Sequence, residues 1–185
     1  GLPDWAFWAI AGVLGLLGGV IAAFLLERLD RSAQTSHDIE LAVGRPVLGS
    51  IPRFGARFRR GKWALVMAND RPARSLQAAR EAYRRLRSST LFLARADDIK
   101  VIVVTSSQAV EGKSTTAGNL AAALALGGSR VALVSADLRR PSVERLFELD
   151  NRDGVADYLS GTTDGLRMER ITGFESLTVL PSGPI

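Results

Sequence analysis

Residues Val101–Thr116 read VIVVTSSQAVEGKSTT, and this stretch sets the expectation for the fold. Four β-branched residues, Val101 to Val104, lead into a small polar loop. The loop closes in Gly112-Lys113-Ser114-Thr115 and opens an alanine- and leucine-rich run. That is the strand–loop–helix layout of a phosphate-binding loop. Backbone N–H groups of such a loop, and of the helix that follows, converge on one point and attract an anion. Lys113 adds positive charge for outer phosphates, and the neighbouring hydroxyl of Ser114 is placed to ligate Mg²⁺. The pattern G-x-x-x-x-G-K-[ST] is broken at one place, where Ser107 stands for the first glycine. A plain surface loop with a helix-capping serine would explain neither the strand nor the lysine.

Downstream, a helix is expected from about Lys113 to Leu126, stopped by Gly127-Gly128. Strands at Lys100–Thr105 and Arg130–Ser135 complete a βαβ unit. The alternating order predicts an α/β fold, a mostly parallel sheet with flanking helices on both faces. The second strand delivers Ser135-Ala136-Asp137-Leu138-Arg139-Arg140-Pro141 to the sheet edge that carries the phosphate loop, where ligands bind in open α/β sheets. Pro141 suits the first turn of a further helix. Gly154–Leu159 reads as a short helix and Leu177–Leu180 as a strand.

Upstream, Leu76, Ala79, Tyr83, Leu86, Thr90 and Leu93 recur at three- and four-residue steps, predicting a helix over Ala73–Ala94 with one core-facing stripe. Glu81, Arg84 and Arg87 lie off the stripe, and Glu81 can pair with Arg84 or Arg85 along the helix. Residues 28–74 are punctuated by glycine and proline and read as a linker, with a short helix over Ser36–Val43 capped by Ser36. The run from Arg53 to Trp63 is basic with interleaved aromatics. Beside a membrane its fitting partner is the anionic inner leaflet, at about 1 kcal/mol per basic residue, and nucleic acid is not expected.

Trp5 to Leu26 contains no charged residue and is long enough to span a bilayer as one helix, which needs about 20 residues. Trp5 and Trp8 sit at one end as interfacial aromatics. From Arg28 to Arg87 there are 14 Lys/Arg against 5 Asp/Glu, so the positive-inside rule puts Gly1 outside and everything after Glu27 in the cytoplasm. Ala11, Gly15, Gly19 and Ala23 form a small-residue stripe suited to helix packing. The expected organisation is a membrane helix (1–27), a basic juxtamembrane linker (28–74) and a nucleotide domain (75–185). The absence of cysteine excludes disulfides and thiolate metal sites. The single histidine, His37, cannot build a metal site alone. Gly1 directly before the span, and an end in a loop just past a strand, read as a piece of a longer polypeptide.

The chain resembles the junction between a polysaccharide chain-length determinant and its cytoplasmic bacterial tyrosine kinase (BY-kinase) domain. The flank after the membrane helix, Asp30-Arg31-Ser32, Asp38-Ile39-Glu40 and Gly44-Arg45-Pro46-Val47-Leu48-Gly49-Ser50-Ile51-Pro52, is similar to that of chain-length determinants. Glu81-x-x-Arg84-x-x-Arg87 resembles the family's oligomerisation helix, Ser106–Thr115 its Walker A loop and Ser135–Pro141 its Walker A′ motif. The resemblance implies a bacterial inner-membrane regulator of exopolysaccharide or capsule chain length, working with the polymerisation and export machinery and transferring the γ-phosphoryl of ATP to protein tyrosine. It implies nucleotide contacts from Ser107, Gln108, Ala109, Val110, Glu111, Gly112, Lys113, Ser114, Thr115 and Arg139. Mg²⁺ would be held through Ser114 and Asp137, with Lys113 and Asp137 catalytic, and self-association would run through Glu81, Arg84 and Arg87.

Val110 stands where the family places glycine, and Ser135 replaces the first aspartate of Walker A′. The family's Walker B aspartate and tyrosine-rich tail would lie past Ile185. A degenerate kinase that uses ATP only to control assembly is therefore the alternative expectation. A ParA/MinD-type ATPase would carry a signature lysine where this chain has Gln108.

Overall fold

The computed structural model describes residues 3–29, 35–54, 65–68 and 74–184. The basic aromatic run lies outside the described residues from Gly55 onward. The chain divides into two units between Val47 and Leu48.

The first unit holds helix α1 (Asp4–Leu29) and helix α2 (Ser36–Val43). Thr35, not Ser36, caps α2. Its hydroxyl accepts from Asp38 N at 3.2 Å while Asp38 Oδ2 accepts from Thr35 N at 3.0 Å, a reciprocal capping box. Gly44, at φ +66°, ends the helix in the left-handed conformation that glycine adopts without strain. Among the described residues no helix is long and apolar enough to cross a membrane. The membrane helix expected over 1–27 is thus not borne out by the structure, although α1 is one continuous helix and Val13, Leu16, Val20 and Phe24 on it are exposed. A Cβ added at Gly15 or Gly19 would meet nothing within 4 Å, so the small-residue stripe packs against no described atom.

The second unit is built on helix α3 (Arg74–Ala96) and helix α4 (Lys113–Leu126), which pack on each other. The expected stripe of α3 is the buried one: Ala79 and Tyr83 are sealed, Thr90 is buried, and Leu76 and Leu86 lie against the core. Phe54 meets the Tyr83 ring edge-on at 6.4 Å between centroids. The alanine run of α4 (Ala121, Ala122, Ala123) gives it a narrow surface that admits close neighbours.

The sheet has strands β1 (Val131–Val134), β2 (Glu169–Ile171) and β3 (Phe174–Leu180) in the order β1-β3-β2. β1 and β3 are parallel, with Val131 opposite Leu177 and Val134 opposite Leu180. β2 and β3 are antiparallel, joined through Gly173 at φ +84°. The expectation of a mostly parallel sheet is corrected to one parallel and one antiparallel pair, because a two-residue connection can only join antiparallel neighbours. Among the described residues α4 is the helix that packs broadly on this sheet, so the expected cover on both faces is not present. Helix α5 (Val143–Phe147) packs on α4, and helix α6 (Val155–Leu159) follows. Pro141 precedes α5 rather than sitting in its first turn, since Ser142 is the capping residue.

The strand expected at Lys100–Thr105 does not form. A strand exists by its pairing, and this segment pairs with none of the described strands. Val101 and Val103 are 80% and 83% exposed. A cavity of about 880 Å³ is lined by Ile102 and Val104 and by Val131 and Leu133 of β1. The β-branched run is paired with none of the described strands.

Candidate functional site

The loop between the extended segment and α4 is held by its own side chains. Glu111 bends back on it: its carboxylate accepts from Gln108 N at 3.0 Å and from the Ser107 hydroxyl at 3.1 Å. Ser106 Oγ donates to Gln108 O at 2.9 Å. Val110 sits at φ +67°, and its side chain is 98% exposed. Gly112, at φ +90°, is the N-cap of α4 and offers no side chain to its first turn. The turn closes by Thr116 N donating to Gly112 O at 2.8 Å. The first N–H groups of α4 are therefore uncapped by any side chain at the point where a helix attracts anions.

Lys113 opens α4, and its Nζ donates to Asp137 Oδ2 at 2.6 Å, both side chains about a third exposed. Asp137 reaches this position because β1 carries the chain from Val131 to Val134 along α4 and releases it at the sheet's carboxyl edge. The hydrogen bond from Lys113 holds the Asp137 carboxyl below the usual aspartate range; a smaller rise comes from its desolvation, and Arg140 N, donating to Oδ1 at 3.2 Å, adds to the lowering. Ser114 follows Lys113, and its Oγ accepts from Ser142 Oγ at 2.7 Å.

Behind this front stands a buried second row. Tyr83 of α3 shares a hydrogen bond with Thr116; burial pushes its phenol above the ordinary value and that bond offsets part of the rise. Asn119, fully buried one turn further on, accepts from Met67 N at 3.3 Å and donates to Thr115 O at 2.9 Å, tying α4 to the Val66–Ala68 segment. Ser135 is buried at the end of β1; its N–H donates to Leu180 O at 2.9 Å and its hydroxyl has no hydrogen-bond partner.

The structure sets Lys113 against Asp137 and Ser114 against Ser142. Arg139 is exposed on the turn after Asp137, and Thr115 lies half-buried in the first turn of α4. Gln108 and Glu111 belong to the loop's internal bonds, while Ala109 and Val110 face outward, exposed. Glu81, Arg84 and Arg87 lie elsewhere, on α3. Glu81 pairs with Arg84 at 3.7 Å and with Arg85 at 3.6 Å, and Arg87 Nη1 donates to Ala123 O near the end of α4 at 3.4 Å. Ser142 and Asn119 were not foreseen. The signal available for Ser142 was its place just after Pro141 in a segment already bound for the site.

Among the described residues there is no cluster of three His, Cys, Asp or Glu fit to hold a metal. The hard oxygens here, the Ser114 hydroxyl and the Asp137 carboxylate, fit Mg²⁺, which takes one or two protein oxygens and completes its shell with phosphates and water. The donors fit a polyphosphate: the Lys113 ammonium and the Gln108 N–H are each already satisfied by a carboxylate, the anionic oxygen the chain itself provides.

Comparison with known proteins places this geometry. Residues 98–169 match a P-loop NTPase family model described as ParA, NUBPL iron-transfer P-loop NTPase. The chain is 32% identical over 163 residues to the putative tyrosine-protein kinase EpsB of Ralstonia nicotianae, covering 83% of this chain and 21% of that protein. It is 29% identical over 201 residues to the succinoglycan biosynthesis transport protein ExoP of Rhizobium meliloti, covering 95% of this chain and 25% of the relative. The kinase domain of the Escherichia coli tyrosine kinase ETK superposes with a TM-score of 0.68 at 25% identity, covering 83% of this chain and 62% of that domain. The chain spans about a fifth to a quarter of the length of these two curated relatives.

Proposed function

We propose, on the premise that this chain is a homologue of the bacterial tyrosine kinases and polysaccharide chain-length regulators, that it is the membrane-proximal part of a Mg·ATP-binding, tyrosine-kinase-like regulator of exopolysaccharide or capsule chain length and export. The supporting observation is the placing at the head of α4 of Lys113, Ser114 and a loop whose donors, Lys113 Nζ and Gln108 N, each hold a carboxylate oxygen. In this reading Lys113 exchanges Asp137 for the outer phosphates. Gly112, at φ +90°, lets the backbone turn its N–H groups toward them. Residues Ser107 to Thr115 contribute the remaining loop contacts, and Arg139 lies on the nucleotide's side. Ser114 and Asp137 would hold Mg²⁺. Bound Mg·ATP supplies the γ-phosphoryl group that passes to a tyrosine hydroxyl.

The uncharged stretch Trp5–Leu26 and the basic excess after it support a membrane anchor at 1–27, with Gly1 outside. Residues 28–74 then follow the anionic inner leaflet, and residues 75–185 lie in the cytoplasm of a bacterial cell as part of the P-loop domain. Of the Glu81, Arg84 and Arg87 set, the exposed Glu81 and Arg84 serve self-association while Arg87 is held within the chain at Ala123 O, and the polysaccharide polymerisation and export machinery is the partner.

One observation favours a second reading, an ATP-gated scaffold without phosphotransfer. Ser135 puts a buried hydroxyl where the resemblance asks for a carboxylate. Serine neither balances a cation's charge nor takes a tyrosine proton, and a general base contributes typically about 10²–10⁴-fold in rate. The test is autophosphorylation of the full-length protein, read by anti-phosphotyrosine blot, beside its Ser135→Asp and Ser135→Asn variants. A gain of about 10²-fold confined to the aspartate supports a weakened kinase. Strong native activity with no gain on substitution removes the scaffold reading.

A further inference from the structure

We propose that Ser142 is a positioning residue for Ser114 as a metal ligand, a role that rests on the nucleotide-site reading above. A serine at a helix N-cap ordinarily turns its hydroxyl onto the N–H two or three residues ahead. Ser142 is the N-cap of α5 and makes no such bond. Its hydroxyl instead donates across the fold to Ser114 Oγ at 2.7 Å.

The packing of α5 on α4 aims it there. Gly118 lies one helical turn after Ser114, and Leu146 lies four residues after Ser142. A Cβ on Gly118 would fall 2.1 Å from Leu146 Cδ2, so the missing side chain is what lets α5 approach. The two pairs, Gly118 with Leu146 and Ser114 with Ser142, run in step along the contact. Arg145 Nη2 donates to Pro141 O at 3.0 Å and braces the turn that carries Ser142. Both serine residues are half-buried.

A hydroxyl that ligates a cation must present a lone pair to it and direct its own proton elsewhere. Among the described residues, Ser142 Oγ is the hydrogen-bond partner of Ser114 Oγ. A hydroxyl both donates and accepts, so the pair can reverse without moving a heavy atom. A cation held by Ser114 would require the Ser114 O–H to point away from it, and Ser142 Oγ is placed to accept that proton. Groups that orient metal ligands in this way typically change metal affinity by about 10–100-fold when removed.

The test uses the full-length protein in detergent, with ADP binding measured by calorimetry in MgCl₂ and again in EDTA. Ser142→Ala should keep the native affinity in EDTA and lose about tenfold or more of the gain that Mg²⁺ confers. Ser142→Thr, which keeps the hydroxyl, should retain that gain. Equal losses with and without Mg²⁺ would mark a merely structural residue and overturn the assignment, as would an undiminished Mg²⁺ gain in Ser142→Ala. A native protein that binds no ADP in either medium would overturn the nucleotide-site reading itself, and this proposal with it.

Discussion

Val110 holds a conformation its side chain disfavours. A left-handed backbone costs a non-glycine residue about 1–2 kcal/mol, and β-branching makes the fit worse. Nothing covers the side chain to offset this. Strain of this kind persists at ligand loops because the surrounding turn fixes it. Val110→Gly should therefore raise stability by about 0.5–1 kcal/mol, the relieved strain less the entropy glycine adds to the unfolded chain; urea unfolding measures it, and a loss would show that the valine packs on something. At this scale the sequence was readable where chemistry follows from residue type and spacing. The lysine at the head of α4 and the aspartate after β1 are in contact. It was unreadable where a side chain takes its partner from a distant segment. Nothing in Ser142 itself shows that it withholds its cap, and nothing in Glu111 shows that it folds back on Gln108 N.

Helix α4 was legible from end to end because local signals bound it, a glycine at φ +90° before it and Gly127-Gly128 after it. The extended run beside it was not, since a β-branched sequence states a preference and only a partner makes a strand. β2, three residues long with two of them charged, gave no periodicity to read. The contact between α4 and α5 depends on Gly118. Alanine there would gain about 1 kcal/mol in helix propensity but must displace the buried Leu146 and lies 3.3 Å from Phe147 Cε2. Overpacking of this kind costs about 1–3 kcal/mol. Gly118→Ala should lower stability by up to about 2 kcal/mol in urea unfolding, and a gain would show that α5 yields freely.

Over the whole molecule, α3 carries two roles that separate by exposure. Glu81 and Arg84 are each about half exposed, and their pair within the helix is worth only about 0.3–0.5 kcal/mol. Arg87 is committed inside the chain. It reaches Ala123 O beside Gly127, where a Cβ would lie 2.7 Å from its Nη1, and cations at a helix C-terminus are favourable. Glu81→Ala with Arg84→Ala should thus leave stability nearly unchanged while reducing the mass of the purified protein by light scattering, if these residues join subunits; an unaltered mass returns them to their pairing within the helix. The central claim concerns the head of α4, and its most direct measurement is ADP binding by calorimetry in MgCl₂ to the full-length protein and to its Lys113→Met variant. The account predicts binding to the native protein and none to the variant, with circular dichroism showing the fold intact. Equal affinity in the two would contradict it.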